Sequence, residues 1–178
     1  MNKQLPNREQ AIKILQKNGC STKVITHCQA VAALALEIAE KFKAKKYPID
    51  LSLVETGALL HDLGRSKTHS VNHAIEGMKL AQTEDLPDTI INIVKRHVGA
   101  GITSEEAEQL NWPKDNYIPQ TLEEKIVCYA DKCISGDKRI PVEETIKQLY
   151  DQKLDDAAER VRKLHNEIIS LLERETII

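Results

Sequence analysis

Apolar residues recur at helical spacing almost from end to end of this chain, and each interruption carries a helix-capping or helix-stopping residue. Ala11, Ile12, Ile14 and Leu15 mark a short amphipathic segment over 7–18, closed by Asn18-Gly19. Ser21 or Thr22 can cap a second helix reaching about Lys45, with Val24, Ala30, Val31, Leu34 and Ile38 as its stripe and His27 on or beside it. Pro48 breaks the pattern, and Asp50 can cap a third helix from Leu51 to Asp62. Further helices are expected from about His73, from Asp88 towards Gly99, briefly near Ser104–Leu110, and from Thr121 to about Cys133, the last opened by a Thr121/Glu124 capping box. No alternating run with an Asn-Gly or Asp-Gly turn signals a hairpin. The expected fold class is therefore all-α, a helical bundle.

Towards the C-terminus, Tyr150, Leu154, Ala157, Val161, Leu164, Ile168 and Leu171 alternate spacings of four and three. This heptad-like seam predicts one long helix. Packing on its own domain is the first reading, and a homodimer contact is the second. With 178 residues, 41% of them hydrophobic, and no repeat or Pro/Gly linker, the chain reads as a single domain over 1–178.

Composition excludes several function classes. Twenty-five basic against 27 acidic groups give a net charge of -2, which argues against general nucleic-acid binding through phosphate attraction. An aromatic content of 3% leaves little for base-stacking platforms. No apolar run approaches the roughly 20 residues of a spanning helix, so no membrane partner is expected. The opening MNKQLPNREQ lacks a signal-peptide core, so a cytoplasmic location is expected. Cys20, Cys28, Cys128 and Cys133 form no Cys-x-x-Cys pair and read as reduced structural residues.

The chemistry concentrates elsewhere. Five of six histidines, His27, His61, His69, His73 and His97, lie between 27 and 97, and His165 stands apart on the C-terminal segment as a surface residue. His61-Asp62 directly follows an apolar run in GALLHDLGRSKTH, and Asp131 sits inside the apolar helix IVCYADK. A carboxylate buried unpaired costs several kcal/mol, so Asp131 needs a cation or donors, unless Asp131-Lys132 is only a surface pair. Neutral imidazoles and carboxylates are the ligands that divalent transition metals prefer. Gly64 reads as the helix end that lets neighbouring His61 and Asp62 both face one site.

The order His27…His61-Asp62…Asp131 resembles the HD superfamily of metal-dependent phosphohydrolases. HDLG is similar to that family's His-Asp-Ile-Gly variant. HAIEGMKLA at His73, RHVGAGIT at His97 and LEEKIVCYADK resemble the remaining ligand positions of six-ligand members. Order and spacing are similar to HD-type diadenosine tetraphosphatases, and HDLGRSKTHSVNHAIEG to a group of small archaeal HD proteins. The resemblance covers a core of about 20–138 and leaves a C-terminal helical extension, about 141–175, outside it.

This resemblance implies an HD-domain bundle with two divalent transition-metal ions per chain, among which Fe, Mn, Zn, Ni and Co are not distinguished. His27, His61, Asp62 and Asp131 would hold the first ion; Asp62, His73 and His97 the second. It implies a phosphohydrolase acting on a nucleotide or small phosphoester through a metal-activated water, with Asp62 as a catalytic residue; Arg65, three residues on, is added as a catalytic phosphate contact because a guanidinium fork suits phosphate oxygens. Arg65 could instead be an exposed loop residue. His69 is placed as a substrate contact beside Arg65 rather than a ligand, or simply in the loop before the His73 helix. The alternatives are a di-iron oxygenase on the same helical frame, or a metal- and nucleotide-binding module without turnover.

Overall fold

A computed structural model describes residues 3–173. Among these, α1 (Arg8–Lys17) is capped by Asn7, whose side chain and that of Gln10 exchange hydrogen bonds with each other's backbone. Ser21 caps the 23-residue α2 (Thr22–Ala44), and Asp50 caps α3 (Leu51–Leu60) by accepting from the Ser52 and Leu53 amides. In α3 the run Thr56–Leu60 is buried throughout, so this helix lies inside the bundle, packed against α1 and α2 and against two later helices. A 3-10 turn, Leu63–Ser66, leads to α4 (His73–Thr83) and α5 (Asp88–Arg96). The short α6 (Ser104–Gln109) has its own capping box between Thr103 and Glu106, and α7 (Leu122–Lys132) packs on α2, α3 and α5.

Three expectations are corrected. The chain contains a small antiparallel hairpin, β1 (Ile134–Ser135) with β2 (Lys138–Arg139), turning at Gly136 with φ +62. Gly as the first of two turn residues followed by Asp137 is a hairpin signal in its own right. The C-terminal seam is not one helix: α8 (Val142–Asp151) and α9 (Asp155–Glu173) meet at a corner where Lys153 takes φ +59. The corner folds α9 back, burying Val161, Leu164 and Ile168 in the chain's own core and giving the seam an intramolecular partner. Positions 174–175 of the expected extension lie outside the described residues.

The third correction concerns Glu124. Thr121 does accept the Glu124 amide (3.2 Å), but the Glu124 carboxylate turns to the Gln120 amide (2.7 Å) and to Arg96 (2.8 and 3.0 Å). Arg96 also donates to the Asn116 carbonyl (3.0 Å), and both ionic residues are buried. This pair ties the end of α5 to the start of α7, one residue before His97. Removing one partner strands the other's charge, so Glu124→Ala is expected to cost about 3–5 kcal/mol in urea unfolding. A loss under 1 kcal/mol would mean that Arg96 finds water at no cost.

A second, smaller core forms under the 101–117 segment: Ala74, Ile75, Ile102, Ala107, Trp112 and Tyr117. The Trp112 indole donates to Asn72 (2.7 Å) and the Tyr117 hydroxyl to the Pro113 carbonyl (2.8 Å), fixing this segment beside α4.

Candidate metal centre

The six residues read as ligand positions converge. His27 comes from α2, His61 caps α3, Asp62 follows it, His73 opens α4, His97 ends α5 and Asp131 lies in the last turn of α7. The Asp131 carboxylate lies 3.1 Å from His27 Nε2 and 3.4 Å from His61 Nε2. Asp62 stands between two imidazole pairs. Its Oδ1 is 3.1 Å from His73 Nε2 and 3.4 Å from His97 Nε2; its Oδ2 is 3.8 Å from His27 Nε2 and 3.7 Å from His61 Nε2.

The ring orientations are set from behind. Each Nδ1 lies 2.7 Å from a backbone carbonyl: His27 on Gly136, His61 on Ala58, His73 on Ser70 and His97 on Val94. A carbonyl oxygen only accepts, so every Nδ1 carries hydrogen, and in a neutral ring every Nε2 is left with a bare lone pair. Such a carbonyl behind the ring is how metal-binding histidines are oriented. For His61 and His97 the carbonyl three residues back belongs to a helix's last turn, which lacks an amide partner.

These lone pairs meet in the centre. His73 Nε2 is 2.9 Å from His97 Nε2, which two lone pairs do not tolerate without a positive charge near them. His61 Nε2 is buried and without a hydrogen bond among the described residues. Burial disfavours charge on His61, yet the Asp62 carboxylate outweighs it and holds its pKa well above the ordinary imidazole value. Burial, with His61 and His73 facing it, pushes His97 down to about 4 against the pull of Asp62. Burial also opposes ionisation of both acids, but His61 beside Asp62, and Lys132 then His27 beside Asp131, keep them well below the usual carboxylate range. Ionised carboxylates and inward-facing imidazoles fit divalent transition metals: the donor atoms of His27, His61 and Asp131 lie within 4.8 Å of one another, as do those of His61, Asp62 and His97, and His73 Nε2 stands beside the latter group, 3.1 Å from Asp62 Oδ1.

Arg65 sits at the rim. Its Nε donates to Asp62 Oδ1 (3.1 Å) and its Nη1 to the His69 carbonyl (2.8 Å). The His69 side chain is exposed and lines the cleft above the cluster; its ring is not among the facing imidazoles. Two contributors take their place only from the fold, since the sequence leaves the direction of the Lys132 side chain open and gives no sign of Gly136. Lys132 is no surface residue: it pairs with Asp131 Oδ2 at 2.5 Å and lines the same cleft. Gly136 supplies the carbonyl behind His27, which only the hairpin could reveal. His165, expected on the surface, is half-buried, with Nδ1 2.8 Å from the Tyr129 hydroxyl. The four cysteines are free and buried.

A Cβ at Gly136 would meet nothing within 4 Å, so Gly136→Val acts through the positive φ rather than through a clash. Displacing that carbonyl is expected to weaken metal affinity roughly 10–100-fold, while backbone strain of about 1–3 kcal/mol lowers the melting temperature by several degrees. Unchanged affinity in a chelator competition would show that His27 needs no such support.

The family model of the HD domain matches residues 24–136, more than half of the chain. The chain belongs to the HD-domain family. It is 42% identical over 161 residues to a tRNA (cytidine(56)-2'-O)-methyltransferase of Thermoplasma volcanium, covering 90% of this chain and 46% of that protein. An uncharacterised protein of Methanocaldococcus jannaschii is 43% identical over 166 residues, 92% of this chain and 98% of that protein. The chain thus spans about half the length of the methyltransferase and nearly all of the other relative. Among solved structures, the HD domain of the L. monocytogenes phosphodiesterase PgpH, in complex with cyclic-di-AMP, shares the fold with a TM-score of 0.56 at 17% identity, over 94% of this chain and 99% of that one. No described helix is long and apolar enough to cross a membrane.

Proposed function

We propose that this HD domain is a metal-dependent phosphohydrolase acting on a phosphate ester of nucleotide type. One observation carries the reading: four imidazoles, each held at Nδ1 by a backbone carbonyl, turn their Nε2 atoms onto two ionised carboxylates, with two of those nitrogens 2.9 Å apart. That arrangement suits bound cations at its centre. When bound, two divalent ions supply Lewis acidity and a water of lowered pKa.

The chain's own residues do the rest. Asp62, facing both imidazole pairs, holds the two halves of the site in one register. Asp131, held low by Lys132, stays ionised as a ligand at neutral pH. The Arg65 guanidinium, anchored by Asp62 and the His69 carbonyl, presents a planar fork at the cleft, a shape suited to phosphate oxygens. Lys132 adds a second cation, and His69 completes the polar end. A fold shared with a phosphodiesterase HD domain seen in complex with cyclic-di-AMP supports a phosphorus substrate, and kinship with half of a tRNA methyltransferase supports one drawn from ribonucleotides.

The test uses protein purified without chelator and reloaded with Mn, Fe, Co, Ni or Zn in turn, against nucleotide mono- and diesters. Cleavage of a P–O bond is expected in air and under strict anaerobiosis alike, lost with chelator and restored by metal. No cleavage by loaded protein would overturn the reading. Turnover that requires oxygen would favour an oxygenase, and methylation of tRNA would favour the activity named for the longer relatives.

A further inference from the structure

The cleft above the metal centre, about 600 Å3, is lined in part by His73, Arg65, His69 and Lys132, which stand at or beside the ligand cluster. Its lining also holds Val98 and Ile102, just past His97, and Leu149, Leu154 and Ala157 of the α8–α9 corner; a Cβ at Gly99 would fall within 4 Å of both Ala157 and Ile102, so corner and loop side chains lie together. That corner lies beyond residue 136, where the family model's match stops.

Lys153 takes φ +59, which a side chain-bearing residue rarely adopts, and the Leu154 amide closes back on the Leu149 carbonyl (2.9 Å). Leu154 is left 48% exposed, the most exposed large hydrophobic among the described residues, at the cleft's edge. Arg160 of α9, also in the lining, is tied to Glu106 (2.9 Å) and to the Gly99 carbonyl (3.4 Å), joining α9 to the segment just past His97. Gln109 and Gln152 place amide groups beside this apolar shelf.

We propose that Val98, Ile102, Leu149, Leu154 and Ala157 form a subsite for the base of a nucleotide whose phosphate lies at Arg65 and Lys132, so that the C-terminal helix pair sets specificity. This deepens the phosphohydrolase reading and rests on it. The charge distribution suits such a ligand: cations at the metal centre for the phosphate, and an aliphatic shelf flanked by the mutually paired Arg160 and Glu106 for the other part. A base is planar and apolar on its faces and polar at its edge, which suits aliphatic side chains, two amides and a guanidinium together. An acyl chain would have no use for the amides, and a bare sugar none for the shelf.

The experiment compares binding of adenosine 5′-monophosphate and ribose 5-phosphate, which differ only in the base, to metal-loaded protein by calorimetry at low temperature. Adenosine 5′-monophosphate is expected to bind about tenfold tighter or more, a stacking-sized gain. Leu154→Asp, at an exposed corner that tolerates a polar residue, is expected to shrink that ratio at least severalfold with an unchanged melting temperature. Equal binding of the two esters, or a Leu154→Asp effect equal on both, overturns the subsite alone. Binding of neither overturns it together with the phosphoester reading.

Discussion

Asp62→Ala is expected to lose metal from both halves of the site and to lower hydrolysis by a factor on the order of 1,000 to 10,000. The two carboxylate oxygens face different imidazole pairs, Oδ1 towards His73 and His97 and Oδ2 towards His27 and His61. No other acid among the described residues faces both pairs, so the loss cannot be confined to one ion. Metal-derived stabilisation of a phosphoryl transition state is worth several kcal/mol, and each 1.36 kcal/mol is tenfold in rate. The fold should survive, because every imidazole keeps the carbonyl behind it and the bundle's apolar core is untouched. The check is metal content, rate and far-ultraviolet circular dichroism on one preparation. A helical spectrum with full activity would refute the role given to Asp62.

Gly64→Ala should be the most destabilising single-methyl change near the site. A Cβ there would fall 1.9 Å from the His73 carbonyl oxygen and 2.5 Å from the Gly77 amide nitrogen, both backbone atoms that no rotamer change can move. The 3-10 turn carrying Gly64 and helix α4 are thus in backbone contact, and that contact sets His73 opposite Asp62. Overpacking alone costs about 1–3 kcal/mol, and here two backbone segments must part, so a loss above about 3 kcal/mol is expected. At 2–4 °C per kcal/mol for a domain of this size, the melting temperature should fall by roughly 10 °C. A melting temperature within a degree or two of the parent would show that the two segments separate freely.

Helix starts were legible at Ser21, Asp50 and Thr121, side-chain caps whose chemistry is local, while the Asn7 and Thr103 caps emerged only with the structure. The sequence carried the convergence of His27, His61, Asp62, His73, His97 and Asp131 through the motif order. What it did not carry depends on distant partners. Gly64 reads as a helix end, yet its φ is not positive among the described glycines and its need is space against His73 and Gly77. Spacings of four and three from Tyr150 to Ala157 run across the Lys153 corner, because periodicity counts residues and not direction. Glu124 matches a capping box and instead answers Arg96, a buried guanidinium that outcompetes a local amide. Side-chain direction, which decides that Lys132 joins the cleft while Lys95 leaves it for Asp115, has no local signature at all.

The most direct measurement is the metal content of the full chain purified without chelator, by elemental analysis alongside quantitative amino-acid analysis. Two transition-metal ions per chain are expected, falling to none in Asp62→Ala. A wild-type chain with a single ion would contradict the pairing of His73 and His97 as a second site, and one that takes up no ion even on reloading would contradict the metal centre itself.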